Sequence, residues 1–184
     1  MTAFEFAAQA FGILGMILNV FSYQQRTQRG VIGFQLLGSV FFSINYFMLG
    51  ATVGAILNVV AIVRAIVYME KKRFRSDRLW WVFAFSALYL TTYVLTFTVL
   101  GKEPTFGNLL IESLPVIGMV ITTVSFRYTE AKTVRRFGIF NSPMWLTYNI
   151  ASRSIGAICC EVMNLISIVV GMIRFDIKRK SEKN

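Results

Sequence analysis

The side chains of this sequence best suited to chemistry are polar groups set inside long apolar stretches. We single out five asparagines and a glutamate: Asn19, Asn45, Asn58, Asn149, Glu161 and Asn164. An unpaired amide or carboxyl in hydrocarbon costs several kcal/mol, so each is expected to face another helix, water or a ligand. Asparagine donates and accepts hydrogen bonds, which suits hydroxyl-rich or amide-bearing neutral solutes. The alternative hypothesis is that the amides tie helices together, at about 1 kcal/mol each.

Glu161 and two aromatic residues add to this set. An ionisable residue within a membrane is a functional candidate, because it can exchange protons across the apolar layer. The alternative is a structural Glu161, either protonated or paired with Arg153 at the outer mouth. Trp145 and Tyr148 present flat rings for stacking on a sugar or a heterocycle, although such rings also serve as packing or interfacial anchors.

Residues typical of enzyme active sites are missing. There is no histidine among the 184 residues, which removes Ser-His and Cys-His nucleophile pairs, HExxH zinc sites and bis-histidine haem ligation. The adjacent Cys159 and Cys160 lie in an apolar stretch and are expected to be reduced, without a disulfide or a metal. The sequence therefore predicts no enzyme, no cofactor and no metal site.

Seven apolar stretches hold these residues, each about 16 to 22 residues long and close to the length that crosses a ~30 Å hydrocarbon core. They run from Phe4 to Tyr23, Val31 to Leu49, Ala51 to Met69, Leu79 to Leu100, Leu109 to Phe126, Phe137 to Ser152 and Ile155 to Ile173. The sixth is the weakest. We therefore predict an all-α integral membrane protein with seven transmembrane helices.

The net charge of +10 is unevenly placed along the chain. Of the 19 Lys and Arg residues, 17 lie at or after the ends of the first, third, fifth and seventh stretches. Basic loops face the cytoplasm, so this asymmetry predicts a multi-pass inner membrane protein with its N-terminus outside and its C-terminus cytoplasmic. We expect Lys71, Lys72 and Arg73 to contact anionic lipid, Arg64 to extend towards the headgroups, and no nucleic acid to bind.

An internal repeat with an offset of 103 residues divides the chain into halves. Its two stripes share spacings of three, four and three: Gly12, Gly15, Asn19 and Ser22, then Pro115, Gly118, Thr122 and Ser125. Asn45 and Asn149, 104 positions apart, extend the match, since the offset shifts by about one residue along the chain. Both halves become basic after their first and third stretches, so they share one orientation and need an odd connector. We predict a 3+1+3 arrangement: a first bundle in residues 1–76, a linker helix and outer loop in 77–108, and a second bundle with a basic tail in 109–184.

The whole chain resembles the bacterial inner membrane proteins of the YgjV type. The resemblance lies in Glu112 to Gly118, in Trp145 to Asn149, and in Ser154 to Gly156 leading to Glu161 and Asn164. It implies an inner membrane location and names no activity.

Each three-helix half is also similar to the SWEET, SemiSWEET and PQ-loop pattern. The segments that carry this similarity are Ser22 to Gln25, Asn45 to Gly50 and Leu57 to Val60. Tyr23 stands where the PQ-loop family has proline. The run from Trp145 to Asn149 is similar to facilitators of the nicotinamide riboside type. These resemblances imply parallel repeats around a central solute site, with Asn58 reaching the substrate.

These features predict a transporter or facilitator of a small neutral solute, such as a sugar, a nucleoside or a vitamin precursor, that works by rocking of the two bundles. Its site is expected to contain Asn19, Asn45, Asn58, Trp145, Tyr148, Asn149, Glu161 and Asn164. The competing hypothesis is a membrane receptor or scaffold of the same fold, whose core can be filled by apolar side chains. A homo-oligomer is compatible with either hypothesis.

Overall fold

The computed structural model describes residues 3–48, 52–151 and 155–177. Within them the protein consists of helices joined by short turns and connections. The helices are α1 (Ala3–Ser22), α2 (Gln28–Met48), α3 (Thr52–Met69), the short α4 (Lys71–Phe74), α5 (Trp80–Thr98), α6 (Phe106–Arg127), α7 (Ala131–Ala151) and α8 (Ile155–Gly171). A π-helical segment, Met172–Ile177, continues α8. The predicted all-α class is confirmed, and each of the seven apolar stretches coincides with one long helix.

Four segments are long and apolar enough to cross a membrane by length and composition: Gln28–Met48, Trp80–Thr98, Phe106–Arg127 and Ala157–Asp176. Within α1 and α3, the apolar segments Phe6–Ser22 and Gly54–Met69 are shorter. The remaining long helix, α7, carries three cations in its first two turns and polar side chains beyond them. The hydropathy of α7 is low for that reason.

The long helices pack in two groups of three. In the first group α2 lies between α1 and α3, and in the second α7 lies between α6 and α8. The groups meet where α1 packs on α8, α2 on α7 and α3 on α6, while α5 packs on α3 and α6. Exchanging α1 with α6, α2 with α7 and α3 with α8 leaves the contacts among these six helices unchanged, whereas α5 stands outside the repeat. The contacts thus repeat in the way that the sequence stripes do.

The repeat is also visible in single hydrogen bonds. Asn19 Nδ2 donates to the carbonyl of Gly15 at 3.1 Å, and Thr122 Oγ1 donates to that of Gly118 at 3.0 Å. The serine three residues further along each helix donates back to the Asn19 or Thr122 carbonyl, at 2.6 and 2.7 Å. Equivalent positions in the two halves therefore satisfy their polar groups in the same way.

Two glycines bring α1 and α2 close together. A Cβ atom on Gly15 would lie 3.2 Å from the carbonyl oxygen of Gly38 and 3.0 Å from the ring of Phe42. A Cβ atom on Gly38 would clash with Asn19 Nδ2 and lie 3.2 Å from the carbonyl oxygen of Gly15. Small residues at a helix contact allow this approach, which in a membrane is a main source of helix association.

An aromatic cluster joins α3, α5 and α6. The ring of Tyr68 lies 6.3 Å from that of Phe85 and 6.0 Å from that of Phe126, and Phe85 stacks on Tyr89 at 6.5 Å. All four side chains are buried. The opposite face of α5 is apolar and exposed, as Phe83 shows at 70%. This helix therefore braces the junction of the two groups from outside.

The close approach of α1 and α2 generates a first prediction. Gly38→Ala should lower the thermal stability of the purified protein by several degrees, because the new methyl group displaces Asn19 from its hydrogen bond and crowds the Gly15 backbone; such overpacking costs about 1–3 kcal/mol. The matched control is Gly107→Ala in α6, where an added Cβ meets nothing within 4 Å. A Gly38→Ala protein as stable as the control would contradict the helix contact.

Candidate functional site

A polar cavity of about 120 Å³ lies between the two helix groups. Its wall is built by α1, α2 and α3 from one side and by α6, α7 and α8 from the other, whereas α5 contributes nothing to it. A water molecule takes up about 30 Å³ in the liquid, so the cavity has room for a few waters or a small solute.

Six of the eight residues predicted for a site line this cavity: Asn19, Asn58, Trp145, Asn149, Glu161 and Asn164. Asn58 Nδ2 donates to the carbonyl of Gly54 at 2.9 Å, one turn earlier in α3. Tyr148 is not part of the wall, but its ring meets that of Trp145 edge-on at 6.1 Å. Most of the side chains singled out from the sequence therefore lie around the same cavity.

The prediction for Asn45 is corrected by the structure, which places the side chain between α1 and α2. Asn45 Nδ2 donates to the carbonyl of Ala8 at 2.7 Å, and the residue is buried. Its neighbour Tyr46 lines the cavity instead. Tyr46 and Asn149 are 103 positions apart, so the repeat offset pairs these two residues rather than Asn45 and Asn149.

Arg64 was predicted to extend towards the headgroups, and that prediction is wrong. The residue is only 5% exposed and lies in the cavity wall. Its Nη1 donates to Tyr89 Oη at 3.3 Å, to the carbonyl of Met119 at 3.3 Å and to Thr123 Oγ1 at 3.4 Å. The guanidinium carbon lies 4.9 Å from the ring centre of Phe126. Arg64 faces α6 and not lipid, and so it belongs to the site.

Two residues of the cavity wall, Arg64 and Asn141, were not among the predicted site residues. Their helical spacing from residues that were predicted would have identified them. Leu57, Ala61 and Arg64 follow the i, i+4, i+7 pattern of one helix face, beside Asn58. Asn141, Trp145 and Asn149 follow i, i+4, i+8 along α7 and all line the cavity. Once one residue of a face is assigned to the cavity, its neighbours at helical spacing follow.

Glu161 lies in the wall formed by α8, with Ser142 and Asn164 next to its carboxyl group. Arg153, the partner considered for it, lies outside the described residues. Within the described part of the chain, no cation forms an ion pair with Glu161. The buried Asn164 Oδ1 has no hydrogen-bond partner there either. Unsatisfied buried polar atoms of this kind are typical of a place that water or a ligand occupies.

Hydrogen bonds between the two groups close the cavity on the side of the cation-rich turns. Gln24 Nε2 donates to the carbonyl of Ser167 at 2.7 Å, and Ser167 Oγ donates to the carbonyl of Val20 at 2.6 Å. Gln28 Nε2 donates to the carbonyl of Phe126 at 2.8 Å. At the other side, the wall reaches the far ends of α2, α7 and α8.

Two cations on the same side reinforce this closure. Arg135 is 2% exposed, forms an ion pair with Asp176 and donates to the carbonyl of Gln25 at 3.0 Å. Lys71, predicted to meet lipid, donates to the carbonyl of Arg127 at 2.8 Å. Partial burial lowers the pKa of Lys71 to about 8, and the nearby Asp77 carboxylate opposes that shift. Lys71 therefore stays charged at neutral pH while it holds the second group.

The chain belongs to a family of bacterial inner membrane proteins, Imp-YgjV, whose profile matches residues 6–179. The predicted family and the inner membrane location are thereby confirmed. No curated protein and no solved structure matches the chain. The similarity to SWEET and PQ-loop proteins stays a prediction.

The different surroundings of Asn58 and Asn45 generate a second prediction. With Cys159 and Cys160 replaced by serine, Asn58→Cys should react with a small charged thiol reagent, because a thiol needs water and ionisation to react. Asn45→Cys should stay unreactive in the folded protein, since it is enclosed between α1 and α2. Mass spectrometry of the labelled protein measures both. Equal labelling of the two variants would show that the cavity is not the hydrated space.

Proposed function

We propose that this bacterial inner membrane protein is a transporter, which moves a small polar solute through the cavity between its two helix groups. The single observation that carries the proposal is the cavity itself, because both groups contribute polar side chains to one space inside an apolar helical protein. A site between two repeats near the middle of the membrane is a common design of secondary transporters.

The proposed topology has all seven long helices crossing the membrane in a 3+1+3 order, with α5 as the connector. The repeated packing pattern and the shared hydrogen bonds of Asn19 and Thr122 support two equivalent halves. The low hydropathy of α7 fits a spanning helix whose polar residues point inward, since Asn141 and Asn149 line the cavity and Arg135 is buried. The positive clusters favour a topology with the N-terminus outside.

The mechanism follows from the uneven closure of the cavity. The bonds of Gln24, Gln28 and Arg135 hold the halves together on the side assigned to the cytoplasm. The cavity reaches the helix ends assigned to the outside, where Tyr46 and Asn149 lie in its wall. Passage of a solute therefore requires the halves to rock apart at the cytoplasmic side and to approach at the outer side. No nucleotide is needed for such facilitated diffusion.

The same cavity argues against a receptor or scaffold. A protein that only holds a partner gains stability by filling its core with apolar side chains, since a buried unpaired polar atom costs about 1–3 kcal/mol. Here Asn141 Oδ1 and Asn164 Oδ1, both on residues of the cavity wall, are buried without a partner among the described residues. Such a cost is understandable where a passing solute or water supplies the missing hydrogen bonds.

The third prediction tests the topology. In intact cells, with both native cysteines replaced by serine, Glu103→Cys, next to Lys102, should react with a membrane-impermeant thiol reagent, because residue 103 is exposed in the connection after α5. Arg75→Cys, in the cation-rich turn before α5, should react only after the membrane is permeabilised. The reverse pattern would invert the orientation, and labelling of both sites in intact cells would remove the connector role of α5.

The fourth prediction tests transport. In proteoliposomes screened for uptake of labelled amino acids, sugars and nucleosides, Asn58→Ala and Trp145→Ala should reduce uptake at least tenfold, because lost contacts to a solute spare the helix packing. Asn45→Ala is the matched control. It should lower thermal stability, since it removes the bond to Ala8, and it should leave the choice of solute unchanged. If liposomes with the wild-type protein take up no more of any solute than empty liposomes do, the protein is not a transporter for that panel.

A further inference from the structure

Arg64 is a buried charge without an opposite charge next to it. The other buried ionic side chains in the described residues have such a partner: Arg135 pairs with Asp176, and Glu112 pairs with Lys102. Arg64 forms no ion pair within that part of the chain. A guanidinium stays charged at any physiological pH, so its charge has to be balanced by its surroundings.

The neighbours of Arg64 balance that charge poorly. They are a phenol, a hydroxyl, a backbone carbonyl, a thioether and the face of an aromatic ring, and the four Nη1 contacts are long, at 3.3 to 3.6 Å. Its Nε is buried and has no partner among the described residues. Arg64, a residue of the cavity wall, therefore has an N–H donor that no described residue uses.

Glu161 shares the cavity without neutralising Arg64 directly. The position equivalent to Glu161 in the first half, 103 residues earlier, is Asn58, and both residues line the wall. Arg64 is six residues beyond Asn58, which is about 9 Å along a helix. The cation and the carboxyl thus belong to different levels of the cavity, with the cation nearer the closed end.

The repeat shows that the fold does not require a cation at this level. The positions equivalent to Arg64 and Thr123 are Ser167 and Val20, at the same offset of 103. Ser167 Oγ donates there to the carbonyl of Val20 at 2.6 Å, and Gln24 Nε2 donates to Ser167 Oγ at 2.9 Å and to its carbonyl at 2.7 Å. Neutral side chains are sufficient for that helix contact, so the charge of Arg64 needs another explanation.

We propose that Arg64 binds the anionic group of the solute and that this group is a carboxylate, so that the cavity takes small carboxylate-bearing molecules in place of the neutral solutes predicted from the sequence. The proposal rests on the proposed transport function, because it names the substrate class of that site. The guanidinium fork matches a carboxylate in shape and charge. A phosphate dianion carries two negative charges against the single positive charge of Arg64, whereas a carboxylate matches that charge.

The test compares carboxylates with the matching amides, which lack the carboxylate, on the purified full-length protein. Acetate, propionate, lactate and glycine should each raise the unfolding temperature with concentration, since a ligand that binds only the folded state stabilises it by mass action. Acetamide, propionamide, lactamide and glycinamide match them in size without the carboxylate and should not. Arg64→Gln should weaken carboxylate binding about 10- to 100-fold, the usual worth of a hydrogen bond to a charged group.

Two further variants make the comparison specific. Arg64→Lys keeps the charge and loses the fork, so its carboxylate affinity should fall between those of the wild type and Arg64→Gln. Arg29→Gln removes an arginine of the exposed pair with Glu70 and should bind as the wild type does. If Arg64→Gln does not fold, the acid and amide pairs on the wild type and on Arg64→Lys decide.

The outcomes separate this proposal from the transport function. The carboxylate assignment would be overturned by amides that bind as well as the acids, or by binding that is unchanged in Arg64→Lys and Arg64→Gln. It would also be overturned if none of the eight compounds binds, or if phosphate alone stabilises the protein. Uptake of neutral solutes would still support a transporter. Carboxylates that bind through Arg64 but do not enter proteoliposomes would overturn transport and leave the binding site in place.

Discussion

The constraint that organises this protein is the cost of leaving a polar group unpaired away from water. In an apolar helical protein every amide, hydroxyl and charge must find a neighbouring helix, a backbone carbonyl or a hydrated space. Asn45 meets that demand with the carbonyl of Ala8, and Ser167 with that of Val20. The cavity gathers further polar groups: Asn19 and Asn58 bond to carbonyls of their own helices, whereas Asn164 Oδ1 has no partner among the described residues. The same cost therefore shapes both the helix contacts and the cavity.

Much of the fold could be predicted because this cost acts on single residues. The seven stretches became seven long helices, and six of eight singled-out side chains came to one cavity. The errors concern the rotation of each helix about its axis and the direction in which a side chain near a helix end points. Neither is determined by the type of a single residue. Asn45 and Tyr46 differ by about 100° around the helix, and only the packing of α1 decides which of them faces the cavity. Arg64 near a helix end can face headgroups or a neighbouring helix, and its position opposite α6 is a tertiary property.

The two halves share their helix contacts but differ in the side chains that face the cavity. The bond from Asn19 to Gly15 recurs from Thr122 to Gly118, which keeps the helix contacts alike in both halves. The side chains that face the cavity have diverged much more. A pseudo-symmetric scaffold can rock between two states of similar energy, because its helix contacts are alike in both halves, while its cavity need not be symmetric.

That divergence has an electrical consequence. Each half carries one ionisable cavity residue where the other half carries a neutral polar one: Glu161 opposite Asn58, and Arg64 opposite Ser167. Arg64 and Glu161 form no ion pair in the described part of the chain, unlike Arg135 and Asp176. Because they lie about two helical turns apart, each keeps hydrogen-bonding capacity towards the cavity. In the proposed transport function, a solute that reaches from one level to the other would meet the carboxyl of Glu161 and the guanidinium of Arg64.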